Sequence, residues 1–102
     1  MMTSDMPIGG HKFPLGQVVA TPGALAALEA AGSGSTVWLQ LHAMGQWGHL
    51  GAEDRAVQDA SLQPNADLER LMSVWMLSND TKIWIITEWD RSVTTILLPD
   101  EY

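Results

Sequence analysis

The sequence predicts a small α+β protein in which a short strand and about three helices precede an antiparallel β-meander of three to four strands. The first observation is size, since 102 residues with 46% hydrophobic side chains suit one domain with a modest core. The second is a set of helix-start signals between residues 21 and 62. The third is a group of three β-branched, aromatic runs joined by tight turns after residue 67. We therefore expect one domain over residues 13–102 after a flexible N-terminus over residues 1–12.

The three predicted helices are defined by their caps and breakers. Thr21 followed by Pro22 suits the start of a helix over residues 22–31, because the hydroxyl can accept from a free N–H and proline needs no donor there. Ser35 can cap a second helix over residues 36–44, and a third is expected over residues 52–62. The residues predicted to face inward are Leu25 and Leu28, then Val37, Trp38 and Leu41, then Ala56, Val57 and Ala60.

The strands are predicted from residue type and from turn signals. Residues 13–20 read as an entry loop and a short strand, and residues 68–77, 82–89 and 93–98 form the meander. The run from Lys82 to Trp89 is apolar at nearly every position, so we expect it to be central and buried on both faces. Connections this short join antiparallel neighbours.

Composition narrows the classes of function. Twelve acids against five bases give a formal charge of −7, which counts against direct nucleic-acid binding because phosphate affinity comes from Lys and Arg. The absence of cysteine rules out disulfides, thiolate metal sites and a cysteine nucleophile. No apolar run is long enough to span a membrane, and the first ten residues do not form a signal peptide. We expect a cytoplasmic protein without a cofactor.

The tract from His42 to Gly48 is the most unusual local feature, because it places an imidazole and the Trp47 indole around two glycines. One interpretation is a general base or a recognition site. The other, which we favour, is structural, with Trp47 filling the core and the glycines adopting special backbone angles. Five tryptophans are many for this length, and an exposed one would mark a contact surface.

The turn from Thr87 to Arg91 combines two acids with one guanidinium. Arg91 could bind a phosphate or carboxylate, although a surface ion-pair cluster is the more common outcome for such a turn. The histidines lack metal-ligand spacing, so no metal site is expected. If the protein were an enzyme, the residues carrying the reaction would be His42, Arg70, Thr87, Arg91 and Thr95.

Three segments together resemble a family of small bacterial proteins labelled plasmid-related proteins, some of which carry the label of a type I restriction endonuclease subunit. They are residues 13–25, residues 42–48 and residues 82–102, and the resemblance spans about residues 13–102. The chain departs from the family pattern at Gln46, Gln58 and Trp75, where an acid, an asparagine and a tyrosine are usual. The polar positions that match are His42, Trp47, Arg70, Ser73, Thr87, Glu88, Asp90, Arg91, Thr94 and Thr95. The resemblance implies a home on plasmids, integrative elements and prophages.

These observations favour a non-catalytic protein from a mobile element or prophage that binds a host protein or nucleoprotein complex and interferes with a defence system, as anti-CRISPR or antirestriction proteins do. An acidic, nucleic-acid-mimicking surface would make the contact. The partner-binding residues expected are Asp54, Asp59, Asp67, Glu69, Asp100, Glu101 and Trp47. The alternative is a ribonuclease-like toxin or small nuclease using His42 and Arg91, and a third hypothesis is an accessory domain that only dimerises or scaffolds. A homodimer stays open.

Overall fold

The computed structural model describes residues 11–102, and the expectation of a flexible N-terminus falls mainly on residues outside this part. Lys12, the last residue of that expected segment, is tied to the fold because its N–H donates to the carbonyl of Ala43 across 2.7 Å. The elements in chain order are β1 Gln17–Ala20, α1 Pro22–Ala30, α2 Thr36–Ala43, α3 Ala52–Ser61, β2 Leu71–Met76, β3 Lys82–Thr87, β4 Val93–Leu97 and a 3₁₀ turn Pro99–Glu101.

The strands form one four-stranded sheet in the order β1-β4-β3-β2. The predicted α+β class and the C-terminal meander are confirmed, since β2 pairs with β3 and β3 with β4, both antiparallel. The sheet is not entirely antiparallel, because the N-terminal strand β1 runs parallel to β4. Parallel neighbours need a long connection, and the three helices and two strands between β1 and β4 supply it.

The main core lies between α1, α2 and one face of the sheet. Register places Ile85 beside Ile96 on this face, and Ala24 and Leu28 of α1 pack against them. Strand β3 is central, as predicted, and Ile83, Ile85, Ile86 and Thr87 are all buried on it. Because successive strand residues point to opposite faces, buried residues at 85 and 86 mean that both faces are covered there.

Five of the side chains predicted to face inward are exposed instead: Leu25, Val37, Ala56, Val57 and Ala60. Leu25 is 55% exposed, Val37 51% and Val57 61%, while Gln58 and Ser61 are the buried residues of α3. On α3 the reason is its position beside the outer edge of β2, where unpaired backbone groups need polar partners rather than apolar ones. The apolar pattern of α3 therefore did not identify its inner face.

Two sets of hydrogen bonds pair the backbone groups at the outer edge of β2. The Gln58 amide binds Met72 twice, donating from Nε2 to the carbonyl across 2.9 Å and accepting from the backbone N–H across 2.8 Å. Val74 is paired with the segment around Gly48, which runs beside it as an isolated parallel bridge. Gly48 has a φ of 65°, and a Cβ at this position would collide with the Val74 carbonyl. This edge is closed to another strand over most of its length.

Candidate functional site

A buried histidine joins α2 to the sheet. His42 has no exposed surface, and its Nδ1 lies 2.7 Å from the Ser73 hydroxyl on β2, while Nε2 lies 2.9 Å from the Thr87 hydroxyl on β3. Trp75 donates its indole N–H to the same Ser73 hydroxyl across 2.8 Å. Residues 73, 75 and 87 share the helix-covered face of the sheet because register aligns Ser73 with Ile85 and Leu71 with Thr87.

The hydrogen bonds continue from Thr87 through Thr94 to the Leu15 carbonyl, and this last bond determines which group is the donor in each of the others. The Thr94 hydroxyl donates to the carbonyl of Leu15 across 2.7 Å, so it can only accept from the Thr87 hydroxyl, which lies 2.7 Å away. Thr87 must then accept from His42, which places a proton on Nε2. His42 Nδ1 is left as an acceptor for the Ser73 hydroxyl. His42 is therefore a neutral imidazole in the Nε2–H form.

The surroundings of His42 oppose a positive charge. The imidazole packs edge-on against Phe13 and Trp47, with ring centroids 5.4 and 5.6 Å away. Burial, together with the positive charge of Arg91, lowers the pKa of His42 from 6.5 to about 3, and burial is the larger cause. The Arg91 guanidinium lies 5.6 Å from the centre of the Phe13 ring, so one aromatic ring contacts both groups.

The structure does not bring the proposed catalytic residues together around an open site. His42 and Thr87 are in contact, but both are completely buried and both imidazole nitrogens already have partners. Thr95 pairs with Ile86 and faces away from His42, so Thr94 takes the place expected of it. Arg70 forms a salt bridge of 3.2 Å with Glu88 and also donates to the Tyr102 hydroxyl. A general base needs contact with its substrate, and His42 has no surface to offer one.

Arg91 holds together the turn between β3 and β4. Its Nη1 donates to the carbonyls of Glu69 at 2.6 Å, Trp89 at 3.1 Å and Glu88 at 3.2 Å. Asp90 accepts from the backbone N–H and the hydroxyl of Ser92, and these bonds lower the pKa of its carboxyl group. The guanidinium is thus used to fix the backbone, which accounts for the density of polar residues in this turn.

The turn presents the most exposed tryptophan in the described chain. Trp89 is 60% exposed, whereas Trp38, Trp75 and Trp84 are half-buried. Trp47, which we expected to contact a partner, is only 3% exposed and donates its indole N–H to Asp59 across 2.9 Å. Trp47 therefore fills the core, as in its structural interpretation. The sequence signal that points to Trp89 is its position between Glu88 and Asp90 in a short turn, where no apolar neighbour can cover it.

The expected partner-binding acids are exposed, and they occupy three places. Asp54 and Asp59 lie on α3, Asp67 and Glu69 lie just before β2, and Asp100 and Glu101 lie in the final turn. The hydrogen bond from Arg91 brings Glu69 beside the Trp89 turn. Glu101 instead binds the Thr21 hydroxyl and the backbone N–H of Leu98, which lower the pKa of its carboxyl group.

A polar cleft of about 830 Å³ separates α3 from the segment around Gly48. Lys12 and Arg55 line it together with Asp59, so it holds two of the five basic residues of the chain. Its remaining lining residues are Gly45, Gln46, Trp47, Gly48, Leu62, Gln63 and Trp75.

The described part of the chain shows neither a metal-binding cluster nor a membrane-spanning helix. Residues 11–102 contain no cluster of three or more histidine or carboxylate side chains arranged to hold a metal ion. Within the same residues, no helix has the length and apolar character needed to cross a bilayer. Comparisons with protein-family models, with curated proteins and with solved structures found no match.

Proposed function

We propose that the protein is a non-catalytic protein-binding inhibitor whose contact surface is centred on Trp89. The observation that carries the proposal is a tryptophan that is 60% exposed on a turn in which Arg91 binds two backbone carbonyls, while a third bond joins Arg91 to the Glu69 carbonyl. Exposed tryptophans are strongly enriched among the residues that dominate binding energy at interfaces. A fixed turn also lowers the entropy lost on binding, because the side chain is already presented.

Charge supports a basic partner. Glu69 and Asp90 lie near Trp89, and neither forms a salt bridge, since Arg70–Glu88 is the one salt bridge among residues 11–102. A lysine- or arginine-rich surface would meet these acids and could also place a cation over the indole. The net charge of −7 would speed the encounter with such a surface.

The partner we propose is a nucleic-acid-binding host defence complex, of the restriction or CRISPR type. Such complexes carry basic channels for nucleic acid, and an acidic protein that occupies one would block access. The resemblance of three segments to plasmid-related proteins fits this role for a mobile element or prophage. The burial of His42 supports binding over the ribonuclease-like alternative, because that reaction would need His42 and Arg91 to reach a substrate.

The proposal is tested by expressing the protein in bacteria that restrict a phage through a defined restriction or CRISPR system. We expect expression to restore plating of the phage in at least one system. Trp89→Ala should abolish this effect, because loss of a central aromatic anchor costs about 2 kcal/mol or more, roughly a 30-fold loss of affinity. Val57→Ala is the matched control, since Val57 is equally exposed on α3 at 61%.

Both variants are first compared with the parent protein by circular dichroism and thermal unfolding, so that a folding defect is not read as lost binding. Retained protection with Trp89→Ala would show that the contact lies elsewhere. Intact restriction and CRISPR interference in every strain that expresses the parent protein would refute the defence role. Toxicity of the parent protein that His42→Ala and Arg91→Ala remove without unfolding it would favour the nuclease alternative.

A further inference from the structure

The outer edge of β1 carries backbone groups without a partner in the described structure. Gln17 and Thr21 donate their N–H groups to β4, at Ser92 and Ile96, and alternation along a strand turns those of Val18 and Ala20 away from the sheet. Val18 is 42% exposed and the next residue, Val19, is 39% exposed. The strand has no charge, proline or bulge, which are the usual devices that protect a sheet edge.

The two edges of the sheet are treated differently. At the β2 edge, Met72 is paired with the Gln58 amide and Val74 with the backbone around Gly48. Among residues 11–102, β1 is the edge strand that is free to accept another strand over its whole length. A molecule with one free edge can pair with a second copy through the same edge, and the assembly then closes at two chains instead of growing into a fibre.

Charge identifies a second copy as a suitable occupant. Between Lys12 and Glu53 the sequence has one charged residue, Glu29, although the whole chain has a formal charge of −7. This stretch contains β1, α1 and α2, whereas most of the acids lie on α3 and in the C-terminal half. Two copies of an acidic chain repel each other least when they approach through their uncharged sides. Leu25, on the helix that directly follows β1, is 55% exposed.

We propose that the protein forms a homodimer by antiparallel pairing of β1 with β1 of a second copy. The pairing that uses all free groups of the strand sets Val18 opposite Ala20 of the second copy and Val19 opposite Val19 of the second copy. It yields four backbone hydrogen bonds and a continuous eight-stranded sheet.

Light scattering coupled to size-exclusion chromatography tests the dimer over a range of concentrations. We expect a mass that approaches twice the 11.1 kDa of the chain as concentration rises. Val18→Pro removes an outward N–H, and an edge strand tolerates proline there, so this variant should remain folded and monomeric. Val19→Lys and Val19→Glu each place like charges opposite each other at the two-fold axis, so each alone should also be monomeric.

Mixing Val19→Lys with Val19→Glu should restore the dimer, because opposite charges then face each other across the new pair of strands. This rescue separates loss of the interface from loss of the fold. Val57→Lys, on the exposed side of α3, is the control that should leave the dimer intact. A monomer mass for the parent protein at the highest concentration, or a dimer that survives Val18→Pro and both Val19 variants, would overturn the proposal.

Discussion

His42 Nε2 donates to the Thr87 hydroxyl across 2.9 Å, and this bond joins the last turn of α2 to the central strand of the sheet. The histidine is neutral because the donor of each hydrogen bond in this network is fixed. On one side, Trp75 donates to Ser73, and Ser73 donates to His42. On the other side, the bonds end where Thr94 donates to the Leu15 carbonyl. A helix layer and a sheet are thus connected through polar groups that have no exposed surface.

Thr94→Val tests the direction of these hydrogen bonds. The change removes the donor to the Leu15 carbonyl and the acceptor of the Thr87 proton, leaving two buried polar groups unpaired. We expect a loss of roughly 2–3 kcal/mol in the free energy of unfolding, measured by urea denaturation. Thr95→Val is the matched control on the opposite face and should cost less than 0.5 kcal/mol, a typical limit for a surface change. Equal effects of the two changes would contradict the assigned bonds.

Stability should depend on pH through His42. Its pKa is about 3 in the folded protein and 6.5 for an ordinary histidine in an unfolded chain, so below pH 6.5 the unfolded chain binds a proton that the folded protein excludes. The contribution of His42 is therefore complete above pH 6.5 and is lost as pH falls toward 3, by roughly 5 kcal/mol in total.

Urea denaturation at several pH values between 7 and 4.5 measures this loss. A His42→Gln variant should show a smaller fall in stability across that range than the parent protein. The same slope in His42→Gln as in the parent protein would assign the pH dependence to other groups.

Ile85→Asp should unfold the protein. Ile85 has no exposed surface and packs between α1 and the neighbouring strands, so an aspartate there would be an unpaired buried charge costing several kcal/mol. Circular dichroism should show loss of the native spectrum for Ile85→Asp and retention of it for Val57→Asp, whose site is 61% exposed. A folded Ile85→Asp protein would mean that β3 is not the central strand.

Gln58→Leu tests the closure of the β2 edge. The change leaves the N–H and the carbonyl of Met72 without partners, which should lower the free energy of unfolding by about 2 kcal/mol. It also opens a second sheet edge, so we expect concentration-dependent assembly beyond two chains in light scattering. Gln63→Leu, at an exposed position nearby, should leave both properties unchanged.

The fold was predictable from the sequence where local signals and burial agree. Thr21 with Pro22 marked the start of α1, and the apolar run around Ile85 marked a central strand. The inner face of α3 was not predictable, because Gln58 is buried by its bonds to a strand edge that lies 14 residues away in the sequence. The parallel pairing of β1 with β4 likewise depends on contacts between distant segments.

The candidate site was only partly predictable. The sequence singled out His42 and the turn from Thr87 to Arg91, and the structure joins His42 to Thr87. Periodicity showed that Thr94 and Thr95 face opposite sides but could not say which side faces His42, since that depends on strand register. The exposure of Trp89 was not predictable, because composition does not show which of the five tryptophans lies outside the core.

His42 is a neutral, internal hydrogen-bonding group, and both of its ring nitrogens are bonded to protein hydroxyls. Two-bond and three-bond ¹H–¹⁵N correlation spectra of the histidine side chains, recorded between pH 8 and 4.5, test this claim directly. We predict that His42 keeps the pattern of the Nε2–H tautomer across the range, because its pKa lies at about 3. Titration of His42 with a pKa near 6.5, or a protonated Nδ1 at pH 7, would contradict the account and return His42 to the list of catalytic candidates.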